Sequence, residues 1–202
     1  MMQTKIFREQ ITIQPETESN EKVTFGFWVY LMTDLIMFAA LFATYAVLRN
    51  NTFGGITIQD IFNPPFVLTE TLLLLTSSFT SGLGLLFARA GDKKKTLILF
   101  GITFLLGASF LAMEFSEFSK LISEGNSFQR SAFLSSFFTL VGTHGLHITV
   151  GLLWMGIMII QILRRGLKKS YIRKLTLLTL FWHFLDIVWI FIFTIVYLMA
   201  RV

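Results

Sequence analysis

The chain has 202 residues, of which 54% are hydrophobic, 14% are charged and 23 are phenylalanine, with no cysteine and a formal charge of +5. This excludes an ordinary soluble domain, in which about 25% of residues are charged, and it excludes disulfides, iron–sulfur clusters and thiolate metal sites. The positive charge does not point to nucleic acid, because the basic residues sit in the N-terminal segment and in short connections between apolar runs.

Residues 1–24 mix Lys5, Arg8 and Lys22 with Glu9, Glu16, Glu18 and Glu21. They contain no apolar core of the kind a signal peptide needs, and they read as a polar cytoplasmic tail. Residues 25–202 form one transmembrane domain with apolar runs at 25–48, 66–89, 96–118, 131–163 and 176–200. Each run is long enough to cross a bilayer as a helix, for which about 20 residues suffice. The runs are continuously apolar rather than alternating, which predicts helices and not barrel strands. The predicted fold class is therefore all-α: a polytopic membrane protein with five transmembrane helices in an antiparallel bundle.

The first connection carries Gly54, Gly55, Asn63, Pro64 and Pro65. It is turn-rich, and its prolines are expected to stop any helix before the second span begins at Phe66. The second connection holds Arg89 and Lys93 to Lys95, and the fourth holds Arg164, Arg165, Lys168, Lys169, Arg173 and Lys174. Only Arg49, Lys120, Arg130 and Arg201 fall on the opposite side. The positive-inside rule then makes the N-terminus cytoplasmic and the C-terminus external. Gly82, Gly84, Gly101 and Gly107 can let helices approach closely. Trp28, Trp182 and Tyr197 stand toward span ends, where amphipathic rings anchor at the membrane interface.

Five titratable residues interrupt the apolar runs near their middles: Asp34, His144, His147, His183 and Asp186. Counted at 1.5 Å per residue, Asp34 lies about 18 Å beyond Lys22 and Asp186 about 18 Å beyond Lys174, so both reach the midplane. His144 and His147 are three apart, as are His183 and Asp186, and each pair projects from one helix face. A charge at that depth costs about 3 kcal/mol or more, so such groups face the protein interior with a partner or a function. The simplest reading is a hydrogen-bonded cluster in which carboxylates meet histidine or tryptophan across helices. For Asp34 a structural role and a proton- or lipid-related role both stand.

Glu70, Glu114 and Glu117 lie toward the external ends of the second and third spans. Together with the histidines they resemble the ligand list of a di-iron carboxylate protein, but the Glu-x-x-His motif of that class is absent. Depth counting also puts the glutamates and the histidines in different halves of the bilayer. A haem of the chain's own would need ligands on opposite sides of the macrocycle, whereas His144 and His147 share a face. No nucleophile stands beside a base outside the spans, so no catalytic, cofactor-binding or metal-ligating residue is assigned. An accessory subunit, an independent membrane metalloprotein and a small transporter remain open, although the halves show no paired repeat of the transporter kind.

The strings Val141-Gly142-Thr143-His144-Gly145-Leu146-His147 and Phe181-Trp182-His183-Phe184-Leu185-Asp186-Ile187-Val188-Trp189 resemble subunit III of haem-copper respiratory oxidases. The resemblance extends to Phe25-Gly26-Phe27-Trp28 with Asp34, to Glu114 and Glu117, and to Phe128-Gln129-Arg130-Ser131. Within that family the chain looks most like the five-helix subunit of the cytochrome bo-type ubiquinol oxidase branch, which lacks the two N-terminal helices of the mitochondrial form. The resemblance implies a non-catalytic subunit of a bacterial plasma (inner) membrane complex. Haem b, haem o or a, and copper would belong to subunit I. This chain would pack beside subunit I, join subunits II and IV, bind phospholipid in a cleft and support assembly. It implies no nucleic-acid partner. The family often has glutamate at the position matching Asp34, one methylene longer than the aspartate here.

Overall fold

The computed structural model describes residues 2–57 and 63–199, with side chains in the first helix described from residue 21 onward. Arg201 and the charged side chains between residues 5 and 18 lie outside the described residues. All regular structure among those described is helical. The helices are α1 (Met2–Leu48), α2 (Pro64–Arg89), α3 (Lys93–Ser123), α4 (Ala132–Arg165) and α5 (Lys169–Ile192). The last continues as a π-helical stretch over Phe193–Leu198. Five segments are long and apolar enough to cross a membrane: Glu21–Leu48, Pro64–Arg89, Lys93–Ser123, Ala132–Arg165 and Lys169–Leu198.

The helices run past the apolar limits because a polar turn satisfies its backbone hydrogen bonds as well as an apolar one does. Hydropathy marks what lipid can cover, not where the helix ends. Pro64 and Pro65 illustrate the point, since they occupy the first turn of α2 rather than stopping the chain before Phe66. The first helical positions have no intrahelical N–H bond to lose, and proline's fixed φ already suits them.

The caps follow from the sequence. Asp92 accepts a hydrogen bond from the Lys95 N–H at 3.1 Å to open α3. Ser131 does the same for Leu134 at 3.1 Å at the start of α4. Helices α2 and α3 close alike. Gly91 and Gly125 take φ of 81° and 78°, the left-handed region where only glycine is free of Cβ strain. The following residues, Asp92 and Asn126, donate back to Phe87 O at 3.0 Å and Leu121 O at 2.9 Å. Each is a Schellman closure.

The contacts divide the chain into a segment up to Met37 and a unit from Phe38 onward. In the first, Thr33 donates to Tyr30 O at 2.6 Å. In the second, α2 packs on α3 and α5, and α4 packs on the same two helices, which closes a four-helix ring. The end of α1 belongs to this unit. Phe38 meets His147 at 5.3 Å between ring centroids, and Tyr45 meets Phe133 at 6.3 Å. The connection after α1 is tied down by Phe133 N–H donating to Asn51 O at 3.2 Å.

Asp92 lies outside the spans, and the Lys95 backbone N–H that it accepts holds its carboxyl below the ordinary carboxylate value. A folded-state value below the unfolded one gives stability that is present above the unfolded pKa and disappears as pH falls through the folded pKa. Asp92→Ala is expected to lower the thermal midpoint of the purified protein at pH 7. The gap to the parent should shrink as melts are repeated from pH 5 downward. A gap that stays constant with pH would remove the cap from the account.

Candidate functional site

The seam between α2 and α5 is built from small hydroxyl residues on one side and large rings on the other. Trp182 on α5 donates its indole N–H to Ser77 Oγ at 2.9 Å, and Trp189, two turns on, donates to Thr71 Oγ1 at 3.0 Å. His183 faces Gly82, where an added Cβ would stand 3.8 Å from its Nε2. Asp186 lies against Ser78 and within electrostatic reach of His183. Two polar ties across this seam thus run from tryptophan to hydroxyl. Serine and threonine are short enough to let the backbones close up and still present an acceptor.

Trp182 reaches further. A Cβ on Gly107 of α3 would sit 2.8 Å from its ring, and one on Gly151 of α4 would sit 3.0 Å away. One side chain from α5 therefore touches α2, α3 and α4. Its exposure is 2%, and that of Tyr197 is 0%. This corrects the expectation that both rings anchor at the membrane interface: they fill the bundle, while Trp28 remains about half exposed at 46%. Position near a span end does not reveal which way a ring turns. A Cβ added at Gly84 would stand 3.0 Å from the Phe100 ring, whereas one at Gly101 would meet open space.

His144 is fully buried in an aromatic box. It stacks on Trp189 at 5.4 Å, and Phe110 and Phe38 meet it edge-on at 6.1 and 6.4 Å. Neither ring nitrogen has a hydrogen-bond partner within the protein. His147, half-buried, has its Nδ1 2.8 Å from Thr143 O on its own helix. The two histidines share a face and interact electrostatically, as their spacing predicts. Asp34 belongs to the segment up to Met37, where its side chain interacts with that of Tyr30 one turn earlier.

The three glutamates form a second group. Glu70 on α2 and Glu114 on α3 are 0% and 3% exposed, and none of their four carboxyl oxygens has a protein partner. Glu114 is within electrostatic reach of both Glu70 and Glu117, and Tyr197 within reach of all three. Glu117 lines a cavity of about 160 Å³ with Asn63, Ser116, Lys120 and Glu124. Glu114 lines another of about 200 Å³ with Gly142 and Gly145. Glu114 thus stands at the level of the His144 segment, and counting residues from the ends of a 34-residue helix overstated their separation. Even so, among the described residues no three His, Asp or Glu side chains converge as metal ligands would.

Comparison with known proteins carries the family. The Cytochrome c oxidase subunit III family matches residues 5–201, almost the whole chain. The chain belongs to the cytochrome c oxidase subunit III family. Among its relatives, Cytochrome bo(3) ubiquinol oxidase subunit 3 of Pseudomonas aeruginosa is 56% identical over 91% of this chain and 88% of its own length. Cytochrome c oxidase subunit 3 of Bacillus sp. PS3 is 44% identical over 98% and 97%. Quinol oxidase subunit 3 of Bacillus subtilis is 44% identical over 92% and 91%.

In this subunit III the residues that sequence reasoning missed are Thr71, Ser77 and Gly151. Their signal was present as a small polar stripe on α2 and a glycine in α4, but what fills the space beside a small residue is decided by another helix. Trp182→Ala should lower the stability of the purified complex by about 3–5 kcal/mol, the usual cost of truncating a buried tryptophan. Trp182→Phe keeps most of the ring and should lose about 1 kcal/mol with the Ser77 bond. Gly107→Ala should disturb packing as Trp182→Ala does, because its methyl has nowhere to go. Thermal melts of the three variants check the order, which fails if Gly107→Ala is neutral.

Proposed function

We propose that this chain is the accessory subunit III of a bacterial quinol-oxidising haem-copper terminal oxidase. Chemistry takes place on subunit I, and this chain supports the assembly, lipid environment and durability of the complex. The observation that carries the reading is the near full-length match to the family, with bo(3) ubiquinol oxidase subunits at 53–56% identity. On this reading haem b, haem o or a, and copper reside in subunit I. Subunits I, II and IV are the proposed partners, and the bacterial inner membrane is the proposed location.

An antiparallel bundle is supported by contacts that pair the start of α3 with the end of α4. Lys93 Nζ donates to Leu163 O at 3.2 Å, and further along Gly107 meets Leu152. The distribution of basic residues supports a cytoplasmic N-terminus, with residues 1–24 as a tail, and an external C-terminus. Asp34, His144, His147, His183 and Asp186 are read as the polar interior of this subunit.

A phospholipid is proposed at the junction of α4 and α5. Arg164, Arg165, Lys168 and Lys174 line a recess of about 450 Å³ with Gln161 and Tyr171. No acid occurs in the sequence between Glu124 and Asp186. Basic pockets at the cytoplasmic end of membrane helices suit anionic headgroups.

Tagged purification in mild detergent tests the assignment. Larger haem-bearing subunits are expected to accompany the chain, and the optical signal should stay with them when this subunit is stripped off. Haem or iron remaining on the isolated chain would overturn it. Asp186→Leu is expected to weaken assembly, and unchanged yield and turnover would remove Asp186 from the structural interior. Replacing Arg164 and Arg165 with glutamine should lower the phospholipid retained per complex, as counted by mass spectrometry.

A further inference from the structure

The acids of α2 and α3 are placed in a way that packing alone does not explain. Glu70 and Glu114 are almost fully buried, and all four of their carboxyl oxygens are sealed from solvent and lack a protein partner. Helices α2 and α3 pack on each other, and Glu114 lies within electrostatic reach of both Glu70 and Glu117. Lys120 acts on Glu117, whereas the charges that act on Glu70 and Glu114 are acidic. The end of α5 brings the phenol of Tyr197, fully buried and within reach of all three acids. Tyr197 is carried by the π-helical stretch Phe193–Leu198, an irregularity that is rare and frequent at functional sites. Helix α1 adds Tyr45, on which Arg49 acts in turn, and α4 meets Tyr197 with the ring of Phe137 at 6.2 Å.

Two neighbouring carboxylates cannot both stay ionised in a buried site without cations or donors, because each charge loses its hydration and meets its like. Paired acids in such surroundings hold or share a proton instead. The oxygens of Glu70 and Glu114 are out of reach even of a water molecule, so a hydrated ion or an organic ligand does not fit against them. Among the described residues no three acids or histidines converge as metal ligands would. The proton is the ligand that remains.

Glu117 supplies the route. It stands one turn beyond Glu114 on the same helix face. It is half-buried, and its carboxyl oxygens are not among those sealed from solvent. With Asn63, Ser116, Lys120 and Glu124 it lines the cavity of about 160 Å³ near the end of α3. A proton arriving through this cavity can pass to Glu117 and on to Glu114 and Glu70 without any larger species entering.

We propose that Glu70, Glu114 and Glu117 form a proton-binding site that fills and empties through the cavity beside Glu117. Only protons move between oxygens, and no other bond changes. No proton pumping is assigned to the site.

The test uses the intact purified complex and infrared difference spectra of parent and variants. At pH 7, Glu70→Gln combined with Glu114→Gln should remove intensity from the carbonyl band of protonated carboxyls. In the parent that same component should shift on transfer to deuterated water. Glu117→Gln should leave the component in place and slow its shift by about a hundredfold, the scale that a positioned proton-transfer group contributes. Glu117→Asp, which keeps a carboxyl at the cavity, should restore part of the rate. A carbonyl region unchanged by the double replacement would mean that both acids are ionised and receive donors from a neighbouring subunit, and it would overturn the site. Exchange at the parental rate in Glu117→Gln would overturn the route. Should the double variant fail to assemble, the parent and Glu117→Gln still decide, by whether any part of the band exchanges more slowly.

Discussion

The packing of this subunit turns on the place given to one indole. Trp182 extends from α5 between the glycines of α3 and α4 and bonds a serine on α2. In a membrane the lipid chains are as apolar as leucine, so burying leucine between helices gains little. Close contact and interhelical hydrogen bonds must hold the bundle instead. A large rigid ring set into positions where neighbouring helices carry no side chain supplies the contact, and its N–H supplies the bond. Gly107 and Gly151 are therefore constrained by a residue on another helix rather than by their own backbone conformations.

The same economy governs the rest of the α2–α5 seam. Thr71, Ser77 and Ser78 are buried, yet hydroxyls in a helix can bond their own backbone, as Ser77 does to Leu74 O at 2.7 Å. Thr71 and Ser77 each accept an indole N–H without leaving a strong polar group stranded. Both carboxyl oxygens of Glu70 and Glu114 and both ring nitrogens of His144 lack a protein partner, as does Ser78 Oγ within the seam. Thr71 and Ser77, which are bonded by their neighbours, thus differ from groups whose surroundings within this chain are incomplete. For a subunit of a larger membrane complex, incomplete surroundings are where lipid, a ligand or a neighbouring subunit can add what is missing.

Legibility from sequence was uneven for physical reasons. Helix number and the order of the spans follow from runs of apolar residues, because the bilayer imposes a length on every crossing. The pairing of His144 with His147 and of His183 with Asp186 follows from helical periodicity alone. Depth was less legible. Glu114 proved level with Gly142 and Gly145 because residue counting takes no account of how long helices slide and tilt against one another. Tyr197 read as an interface anchor from its place near the end of the chain, but on the π-helical stretch its side chain is buried within electrostatic reach of the glutamates.

Composition and local pattern alone determined that this is a helical membrane protein with five crossings. These features are local: each depends on residues within a few turns and on the solvent around them. Only the tertiary structure decided that Trp182 is a core residue, that Trp182 and Trp189 bond hydroxyls, and that Glu70, Glu114 and Glu117 form one group. Those outcomes depend on which faces of different helices meet and at what height. That is a property of the packed bundle, and no single helix encodes it.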